Sequence, residues 1–297
     1  MKNIRFQTIY PETIIKIKKG EKSGCLQNFT KEKISEQFNY LKQYIDDDPA
    51  HEERLIQNND LNRYSNIRPY KDNVVQINSN NKYINASWVH LPTNKSFIAT
   101  QGPLDTTIDD FWQMVDQYNI NLIIMLCKLE ENNKVKCSKY WDNTNIHNFI
   151  LEKCENEFEY KEGLTLRNYF LKKSINQLLP PTIIQLQDTC WEDHSAPDRN
   201  SYNKIIDLIE FIDIYKNNQP VIVHCSAGVG RSGTFISLYN LYNIIMKQIK
   251  DINTNEIKFS IMNIVRQIKE MRIHSVQNEK QYLYLYEFVK LLLDEKN

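Results

Sequence analysis

The residues best suited to chemistry lie in one ten-residue segment that begins at His224 and ends at Gly233. It contains a thiol at Cys225 and a guanidinium at Arg231, and it holds three of the chain's 7 glycines. Glycines have no Cβ, so they let a backbone fold closely around an anion. The segment is therefore predicted to bind phosphate above a nucleophilic cysteine, although an isolated cysteine is more often a buried structural residue.

The sequence on either side of this segment indicates a turn between a strand and a helix. Residues 220–223 are apolar and mostly β-branched, as in a buried strand, and residues 232–248 carry apolar side chains at helical spacing. Successive amide N–H groups and the helix N-terminus then converge on one point, where they favour an anion. That anion can be the Cys225 thiolate or a phosphate group, and Arg231 can hold two phosphate oxygens with its planar fork.

Apolar periodicity along the rest of the chain predicts a mixture of strands and helices. Strands are predicted at residues 74–77, 83–89, 97–101, 122–127, 166–172, 183–186 and 221–224, and helices at residues 30–45, 109–119, 203–215, 232–249, 260–271 and 278–293. This pattern favours the α/β class, with a mixed sheet flanked by helices. Because no repeat or linker interrupts residues 30–293, we expect one domain at residues 26–297 after an N-terminal extension at residues 1–25.

Composition narrows the classes of partner and compartment. Lys and Arg total 37 and Asp and Glu total 37, so the net charge of zero does not point to nucleic acid or an anionic membrane. The six cysteines form no C-x-x-C pair and no metal-like spacing, so we expect reduced thiols, no metal and a cytoplasmic location. The first 20 residues lack the apolar core of a signal peptide, and no apolar run reaches the length of a membrane span.

Six further segments follow one another in a specific order along the chain. They are residues 62–70 (NRYSNIRPY), 83–87 (YINAS), 99–103 (ATQGP), 136–141 (KCSKYW), 191–194 (WEDH) and 276–282 (VQNEKQY). Together with residues 224–233, called the cysteine loop below, they resemble the phosphotyrosine-specific protein tyrosine phosphatases of the non-receptor type. The resemblance extends across about residues 30 to 293. The resemblance implies a highly twisted mixed β-sheet flanked by α-helices, a catalytic domain at residues 26–297, and hydrolysis of phosphotyrosine in proteins.

The resemblance also assigns the reacting groups. Cys225 would attack phosphorus and form a phosphocysteine, which divides one difficult hydrolysis into two easier displacements. Arg231 would bind the phosphate oxygens, while Asp193 would protonate the leaving tyrosinate and later take a proton from water. The alternative for Asp193 is a solvated carboxylate in an acidic loop.

Supporting roles follow from the same resemblance. They are phosphate binding by Ser226, Ala227, Gly228, Val229 and Gly230, water positioning by Gln277 and Gln281, donation to the Cys225 sulfur by Ser232, support of the thiolate by His224 and Tyr140, orientation of Arg231 by Glu131, pairing of Lys136 with Asp193, and packing of Trp191 beside Asp193. Tyr64 would wall a pocket that phosphotyrosine spans and phosphoserine does not, and Asn66 would bind the substrate backbone. No metal or cofactor is implied, and the expected partners are phosphotyrosine-containing proteins bound by a monomer.

Several of these residues keep a plainer alternative when the residues are considered alone. Ser232 could be a helix N-cap, and Glu131 could be an exposed charged residue. His224 could be a hydrogen-bonded core histidine, and Tyr64 could be an ordinary core tyrosine.

Four positions depart from the family pattern. Glu192 stands where the family usually has proline and Ser195 where it usually has glycine. Loss of the proline frees the backbone, so we expect costlier closure of the acid loop (residues 191–197) and weakened activity, and the extra carboxylate beside Asp193 predicts a shifted pH optimum. Asn66 replaces an aspartate found in many members. His274 stands where a glycine in some members opens a second phosphate site, so we expect poor use of a neighbouring phosphotyrosine.

Two other functions remain alternatives to an active tyrosine phosphatase. A phosphotyrosine-binding protein without turnover would fit Glu192, although the chain keeps Cys225, Arg231 and Asp193. Hydrolysis of phosphoinositides or other small phosphate esters would fit basic residues in the loop, and residues 226–230 contain none.

Overall fold

The computed structural model describes residues 13–46, 59–77, 82–93, 95–142, 145–146, 149–174, 176–193, 195–197, 201–215 and 219–296. The helices in these ranges are α1 (Lys31–Asp46), α2 (Ile108–Gln117), α3 (Tyr202–Ile214), α4 (Gly230–Lys250), α5 (Ile261–Met271) and α6 (Glu279–Lys296). The strands are β1 (Ile15–Lys18), β2 (Val74–Ile77), β3 (Lys82–His90), β4 (Ser96–Thr100), β5 (Leu122–Met125), β6 (Glu130–Glu131), β7 (Lys134–Val135), β8 (Asn145–Ile146), β9 (Phe149–Lys153), β10 (Phe158–Lys161), β11 (Leu164–Lys172), β12 (Thr182–Asp188), β13 (Val221–His224) and β14 (Glu256–Phe259).

Ten of these strands form one mixed sheet, in the order β2-β3-β4-β13-β5-β12-β11-β9-β8 with β10 paired to β11. The central pairs β4–β13, β13–β5 and β5–β12 are parallel, whereas the pairs toward both edges are antiparallel. Parallel strands need cover on both faces, which explains the uninterrupted apolar sequence of β5. Helices α2, α4 and α5 contact this sheet. The predicted α/β class is therefore confirmed.

Strand β13 brings the cysteine loop to the middle of the sheet. All four of its residues are buried, and α4 begins at Gly230, directly after the loop. Residues 230–242 of α4 are all buried, because this helix packs between the sheet and helices α5 and α6. The cysteine loop thus lies between the carboxyl end of a central strand and the N-terminus of a buried helix, which confirms the predicted strand-to-helix turn.

The periodicity does not predict the pair formed by β1 and β14. These strands pair antiparallel, and Ile15 and Ile17 of β1 enter the main core. A four-residue strand that alternates isoleucine with lysine gives only a short apolar signal, and its lysines resemble those of a charged lead segment. The boundary between residues 25 and 26 stays a prediction, although β1 contributes to the same core as the rest of the chain.

None of the helices in the described ranges combines the length and the apolarity needed to cross a bilayer.

Candidate active site

The cysteine loop owes its shape to a close approach to the end of β4. Gly228 has a φ of +70°, and a Cβ there would lie 2.1 Å from the carbonyl oxygen of Thr100, so only glycine fits. The Gly102 amide donates to the Ser226 carbonyl oxygen at 2.9 Å. These contacts fix the middle of the loop against the neighbouring strand.

A buried arginine that the sequence analysis missed holds the outer side of the loop. Arg272 donates to the carbonyl oxygens of Gly228 and Ala227 at 3.2 and 3.0 Å, and to the Ser87 hydroxyl at 3.2 Å. Because the C=O and N–H groups of a peptide unit point in opposite directions, carbonyls turned toward Arg272 leave amides turned toward the pocket. Burial lowers the pKa of Arg272 to about 10.

Cys225 lies in a pocket of about 190 Å³, and the residue as a whole is only 3% exposed. The pocket brings together residues that are distant in sequence. Its lining comprises Tyr64, Asn66, Ile67, Asp193, Cys225, Ser226, Ala227, Gly230, Arg231, Gln277 and Gln281. The three residues assigned to the reaction, Cys225, Arg231 and Asp193, therefore share one pocket.

A buried hydrogen-bond relay sets the tautomer of the histidine before the cysteine. Arg167 has no acceptor, so the amide oxygen of Gln185 must face its Nη1 atom at 3.1 Å, which turns the amide nitrogen toward the Tyr140 hydroxyl. The Tyr140 hydroxyl then donates its own proton to His224 Nε2 at 2.9 Å. His224 consequently carries its proton on Nδ1, which lies 3.2 Å from the Cys225 carbonyl oxygen.

Burial keeps this relay in one protonation state. It raises the pKa of Tyr140 well above the usual value, so the side chain stays a neutral phenol that can donate. Tyr140 and His224 are both fully buried. They therefore support the cysteine loop from below without lining the pocket.

Arg231 is oriented by a bidentate ion pair. Its Nη1 and Nη2 atoms donate to the two carboxylate oxygens of Glu131 at 2.7 and 3.1 Å, and the Lys128 amide donates to the same carboxylate at 2.9 Å. Burial alone would lower the pKa of Arg231, but the charges of Cys225 and Glu131 raise it overall. The guanidinium therefore stays charged and fixed in direction.

The acid loop lies folded over the pocket. One oxygen of Asp193 accepts from Arg231 Nη2 at 3.1 Å, and the other accepts from the Lys136 ammonium group. The Trp191 carbonyl oxygen accepts from Arg231 Nη1 at 2.9 Å. Burial alone would lower the pKa of Lys136, but Asp193 and Glu131 raise it overall. Two cations thus hold the Asp193 carboxylate in the site.

The two unusual residues of the acid loop, Glu192 and Ser195, both line a cleft of about 760 Å³ that is separate from the cysteine pocket. Asp193, between them in sequence, lines the cysteine pocket. The Ser195 hydroxyl donates to the Glu192 carbonyl oxygen at 2.7 Å, and the Ser195 carbonyl oxygen accepts from the Trp191 indole and the Gln281 amide at 3.0 and 3.3 Å. Ser195 therefore closes a turn inside the loop. Costlier loop closure because of Glu192 stays a prediction.

Tyr64 stands at the pocket wall. Its hydroxyl lies 2.9 Å from the Ser226 hydroxyl, which itself donates to the Lys136 carbonyl oxygen at 3.0 Å. Because the Ser226 proton is used in that bond, the Tyr64 hydroxyl is the donor between the two. Asn66 lies exposed at the rim.

The two glutamines lie just before α6 and in its first turn. The backbone N–H of Gln277 donates to Gln281 Oε1 at 2.8 Å. A Cβ on Gly230 would lie 3.0 Å from Gln277 Oε1 and 3.1 Å from Gln281 Nε2, so the glycine lets both side chains approach. Gln277 is exposed and Gln281 is buried, and both line the pocket.

Ser232 lies fully buried in the first turn of α4. The N-cap of α4 is Val229, so the N-cap alternative for Ser232 is wrong. Apolar periodicity placed the helix start late because Gly230 and Arg231 give no apolar signal. Within the described residues the Ser232 hydroxyl has no hydrogen-bond partner, which is rare for a buried polar atom and typical of a functional site.

The backbone beside the loop is strained at two residues. His274 and Val276 have φ values of +57° and +53°, in the left-handed region that favours glycine. The Val276 amide donates to the Val229 carbonyl oxygen, and the Lys269 ammonium donates to the Val276 carbonyl oxygen, both at 3.3 Å. The first bond ties the strained segment to the cysteine loop, and the second ties it to α5.

The fold and the site together define an α/β protein with a cysteine, an arginine and a carboxylate in one pocket at the end of a central strand. The model of the protein-tyrosine phosphatase family matches residues 58–290. The chain therefore belongs to the protein-tyrosine phosphatase family, which confirms the resemblance inferred from the seven segments.

Two relatives illustrate the match. Mouse tyrosine-protein phosphatase non-receptor type 20 is 34% identical over 282 residues, covering 89% of this chain and 62% of the relative. Tyrosine-protein phosphatase 2 of Dictyostelium discoideum is 36% identical over 207 residues, covering 69% of this chain and 53% of the relative. The chain thus spans less than two thirds of either relative.

Solved structures show the same fold. The catalytic domain of human protein tyrosine phosphatase non-receptor type 18 matches with a TM-score of 0.73 at 24% identity, covering 88% of this chain and 96% of that domain. The same phosphatase in complex with HER2 phosphopeptides matches with a TM-score of 0.78 at 23% identity, covering 92% and 96%.

Proposed function

We propose that this chain hydrolyses phosphotyrosine in proteins through a phosphocysteine intermediate on Cys225. The observation that carries the proposal is the single pocket of about 190 Å³ that Cys225 shares with Arg231 and Asp193. A nucleophile, a fixed cation and a carboxylate are the three groups that this reaction needs. Membership in the protein-tyrosine phosphatase family supports the same reaction.

The first step forms the phosphoenzyme. The Cys225 thiolate attacks phosphorus, the bond between phosphorus and the tyrosyl oxygen breaks, and Asp193 as a carboxylic acid gives its proton to that oxygen. Arg231 and the loop amides hold the other phosphate oxygens, whose charge changes most in the loose transition state. Arg272 supports this step by turning the loop carbonyls away from the phosphate.

The second step returns the free enzyme. Water attacks phosphorus, the Asp193 carboxylate takes a proton from the water, and the bond between phosphorus and Cys225 sulfur breaks to release inorganic phosphate. Gln277 and Gln281 lie beside Gly230, where their amides can orient that water. The Ser232 hydroxyl, which has no hydrogen-bond partner among the described residues, can donate to the sulfur as its negative charge returns.

Substrate must displace one contact before it can react. In the free site Asp193 accepts a hydrogen bond from Arg231 at 3.1 Å, so it occupies a donor that the phosphate needs. A phosphate dianion carries more charge than a carboxylate and replaces it on Arg231, while Lys136 retains Asp193 over the pocket.

Selectivity for phosphotyrosine rests on Tyr64. Its hydroxyl is committed to Ser226, which holds the ring upright at the pocket wall where it can stack on a substrate ring. The type 18 phosphatase, which has the same fold, was crystallised with phosphotyrosine peptides from HER2. A phosphoserine side chain is too short to bring its phosphate past such a wall to Cys225.

The test compares a phosphotyrosine peptide with its phosphoserine twin, in EDTA and a reducing agent. We expect the wild type to hydrolyse only the phosphotyrosine peptide and Cys225→Ser to lose turnover on it. The matched control is Cys190→Ser, which removes an exposed thiol outside the cysteine pocket and should keep wild-type turnover.

A second pair of variants tests the acid. Asp193→Asn should lower turnover by about a hundredfold or more, within the range for loss of general acid catalysis, whereas Glu192→Gln should have little effect. Wild-type protein that binds the phosphotyrosine peptide without releasing phosphate would refute the proposal and indicate a binding protein. Preferential release of phosphate from a phosphoinositide would refute the substrate class.

A further inference from the structure

A buried carboxylate lies at the base of the acid loop, outside the cysteine pocket. Asp188 is the last residue of β12 and is 3% exposed. Its Oδ1 atom accepts from the backbone N–H of Cys190 at 2.8 Å. The Lys204 ammonium lies 3.6 Å from the same oxygen. Asp188 therefore holds the peptide unit between Thr189 and Cys190 on the way to Asp193.

The ion pair between Asp188 and Lys204 joins the two ends of the acid loop. The loop leaves the sheet after Asp188 and re-enters regular structure at α3, which begins at Tyr202 and carries Lys204 in its first turn. A third contact braces the base, because the Thr189 amide donates to the Gly163 carbonyl oxygen at 3.1 Å. One ion pair thus links the exit and the re-entry of the loop.

The residue that Asp188 holds is next to a residue that binds the phosphate-binding arginine. Asp188 accepts from the Cys190 N–H, and the carbonyl oxygen of the following residue, Trp191, accepts from Arg231 Nη1 at 2.9 Å. A shift of the backbone at Cys190 would therefore disturb both the bond between Trp191 and Arg231 and the position of Asp193.

We propose that Asp188 is a positioning residue for the general acid: it holds the loop base, with Lys204, in the arrangement that brings Asp193 over Cys225. The inference rests on the proposed function, because it assigns a role in proton transfer to the leaving tyrosinate. The role of Asp188 also explains how a loop with Glu192 in place of proline stays folded over the pocket. A proline would restrain the loop backbone directly, and here the contacts of Asp188 with Cys190 and Lys204 restrain it at its base.

The ionised carboxylate of Asp188 lowers the stability of the folded state at neutral pH. Burial raises the pKa of Asp188 overall, although the Cys190 N–H and Lys204 act in the opposite direction. A carboxyl whose pKa is raised by folding makes the native state less stable as pH rises from the usual range through the raised value. Replacing Asp188 by neutral Asn should therefore leave the melting temperature at neutral pH unchanged or higher, whereas a purely structural role predicts a lower one.

The test uses two substrates that differ in their need for an acid. A phosphotyrosine peptide releases a basic tyrosinate that needs a proton, whereas p-nitrophenyl phosphate releases a stable phenolate that does not. The comparison uses kcat/KM, which covers the steps up to release of the phenol, because hydrolysis of the phosphoenzyme also uses Asp193 and is common to both substrates. We expect Asp188→Ala to lower kcat/KM on the peptide by about tenfold or more, the effect of losing hydrogen bonds to a charged group. On p-nitrophenyl phosphate kcat/KM should change by less than about twofold. Asp188→Asn and Lys204→Met should give smaller losses of the same kind.

The matched control is Asp207→Asn, which breaks another ion pair of α3, with Lys161, and leaves the loop amides alone. It should leave kcat/KM on both substrates unchanged. Equal losses on both substrates, or no loss on the peptide, would overturn the role of Asp188. If Asp188→Ala does not fold, the decision rests on Asp188→Asn and Lys204→Met. Wild-type protein that hydrolyses neither substrate would instead refute the proposed function.

Discussion

Two buried tyrosines differ in whether their hydroxyl group has a hydrogen-bond partner, so replacing each by phenylalanine measures what the partners contribute. The Tyr140 hydroxyl accepts from Gln185 and donates to His224 beneath the cysteine loop. The Tyr169 hydroxyl has no hydrogen-bond partner among the described residues. Both residues are almost fully buried, at 0% and 1% exposure, so replacing either by phenylalanine removes one buried oxygen and little else.

The expected effects on stability differ in size and in sign. Tyr140→Phe leaves a buried amide donor on Gln185 and a buried acceptor on His224 without partners, and each such loss costs about 1–3 kcal/mol. The free energy of unfolding should therefore fall by about 2–6 kcal/mol. Tyr169→Phe removes a polar group that was desolvated without compensation, so the free energy of unfolding should stay the same or rise by about 1 kcal/mol.

The assay is urea unfolding of the two variants and the wild type at neutral pH, followed by tyrosine or tryptophan fluorescence and by circular dichroism. The ring nitrogens of His224 provide a second readout, because Tyr140→Phe removes the donor that keeps Nε2 unprotonated. Nitrogen chemical shifts should report a change of tautomer in Tyr140→Phe and none in Tyr169→Phe. Equal destabilisation by the two substitutions would refute the argument that partners, and not burial, decide the outcome.

Three further predictions concern the site. Glu131→Gln should raise KM or lower kcat by about tenfold, because Arg231 loses a charged bidentate partner; steady-state kinetics measure this, and unchanged constants would contradict it. Glu192→Pro should raise the rate by up to about fivefold, because proline removes about 0.4–1 kcal/mol of freedom from the open loop, and should shift the pH profile, because it removes a carboxylate next to Asp193; an unchanged rate and pH profile would refute this. His274→Gly should improve turnover of a doubly over a singly phosphorylated peptide, because it relieves a left-handed backbone and opens the rim; an unchanged ratio would count against it.

The central part of the fold was predictable because its signals are local and strong. Strand β13 is a continuous apolar run that ends at the cysteine loop, and its predicted bounds equal those of the structure. Strand β1 was not predictable, because four alternating residues become a strand only when β14 supplies their hydrogen bonds and the core covers their isoleucines. Short strands of this kind are decided by tertiary contacts and not by intrinsic preference.

The site shows the same division between local pattern and tertiary contact. Cys225, Arg231 and Asp193 were recognisable because their chemistry requires particular residue types in particular segments. Arg272 and Asp188 were not, because Arg272 binds peptide groups of a distant segment and Asp188 is paired with Lys204 of α3, and neither contact is visible in the sequence. A buried charge that binds backbone atoms can be found only once the fold has brought the two together.

The charges around Cys225 connect binding to catalysis in the proposed mechanism. In the free site the carboxylates of Glu131 and Asp193 face the cations of Arg231 and Lys136. A phosphate that replaces Asp193 on Arg231 leaves this carboxyl with one cation instead of two and places a dianion beside it. A dianion repels a carboxylate but not a protonated carboxyl, so the protonated form of Asp193 is favoured beside the phosphate. The protonated form is also the one that can give a proton to the leaving tyrosinate. Substrate binding would thus favour the acid that the next step needs, provided that the base of the loop keeps Asp193 within reach.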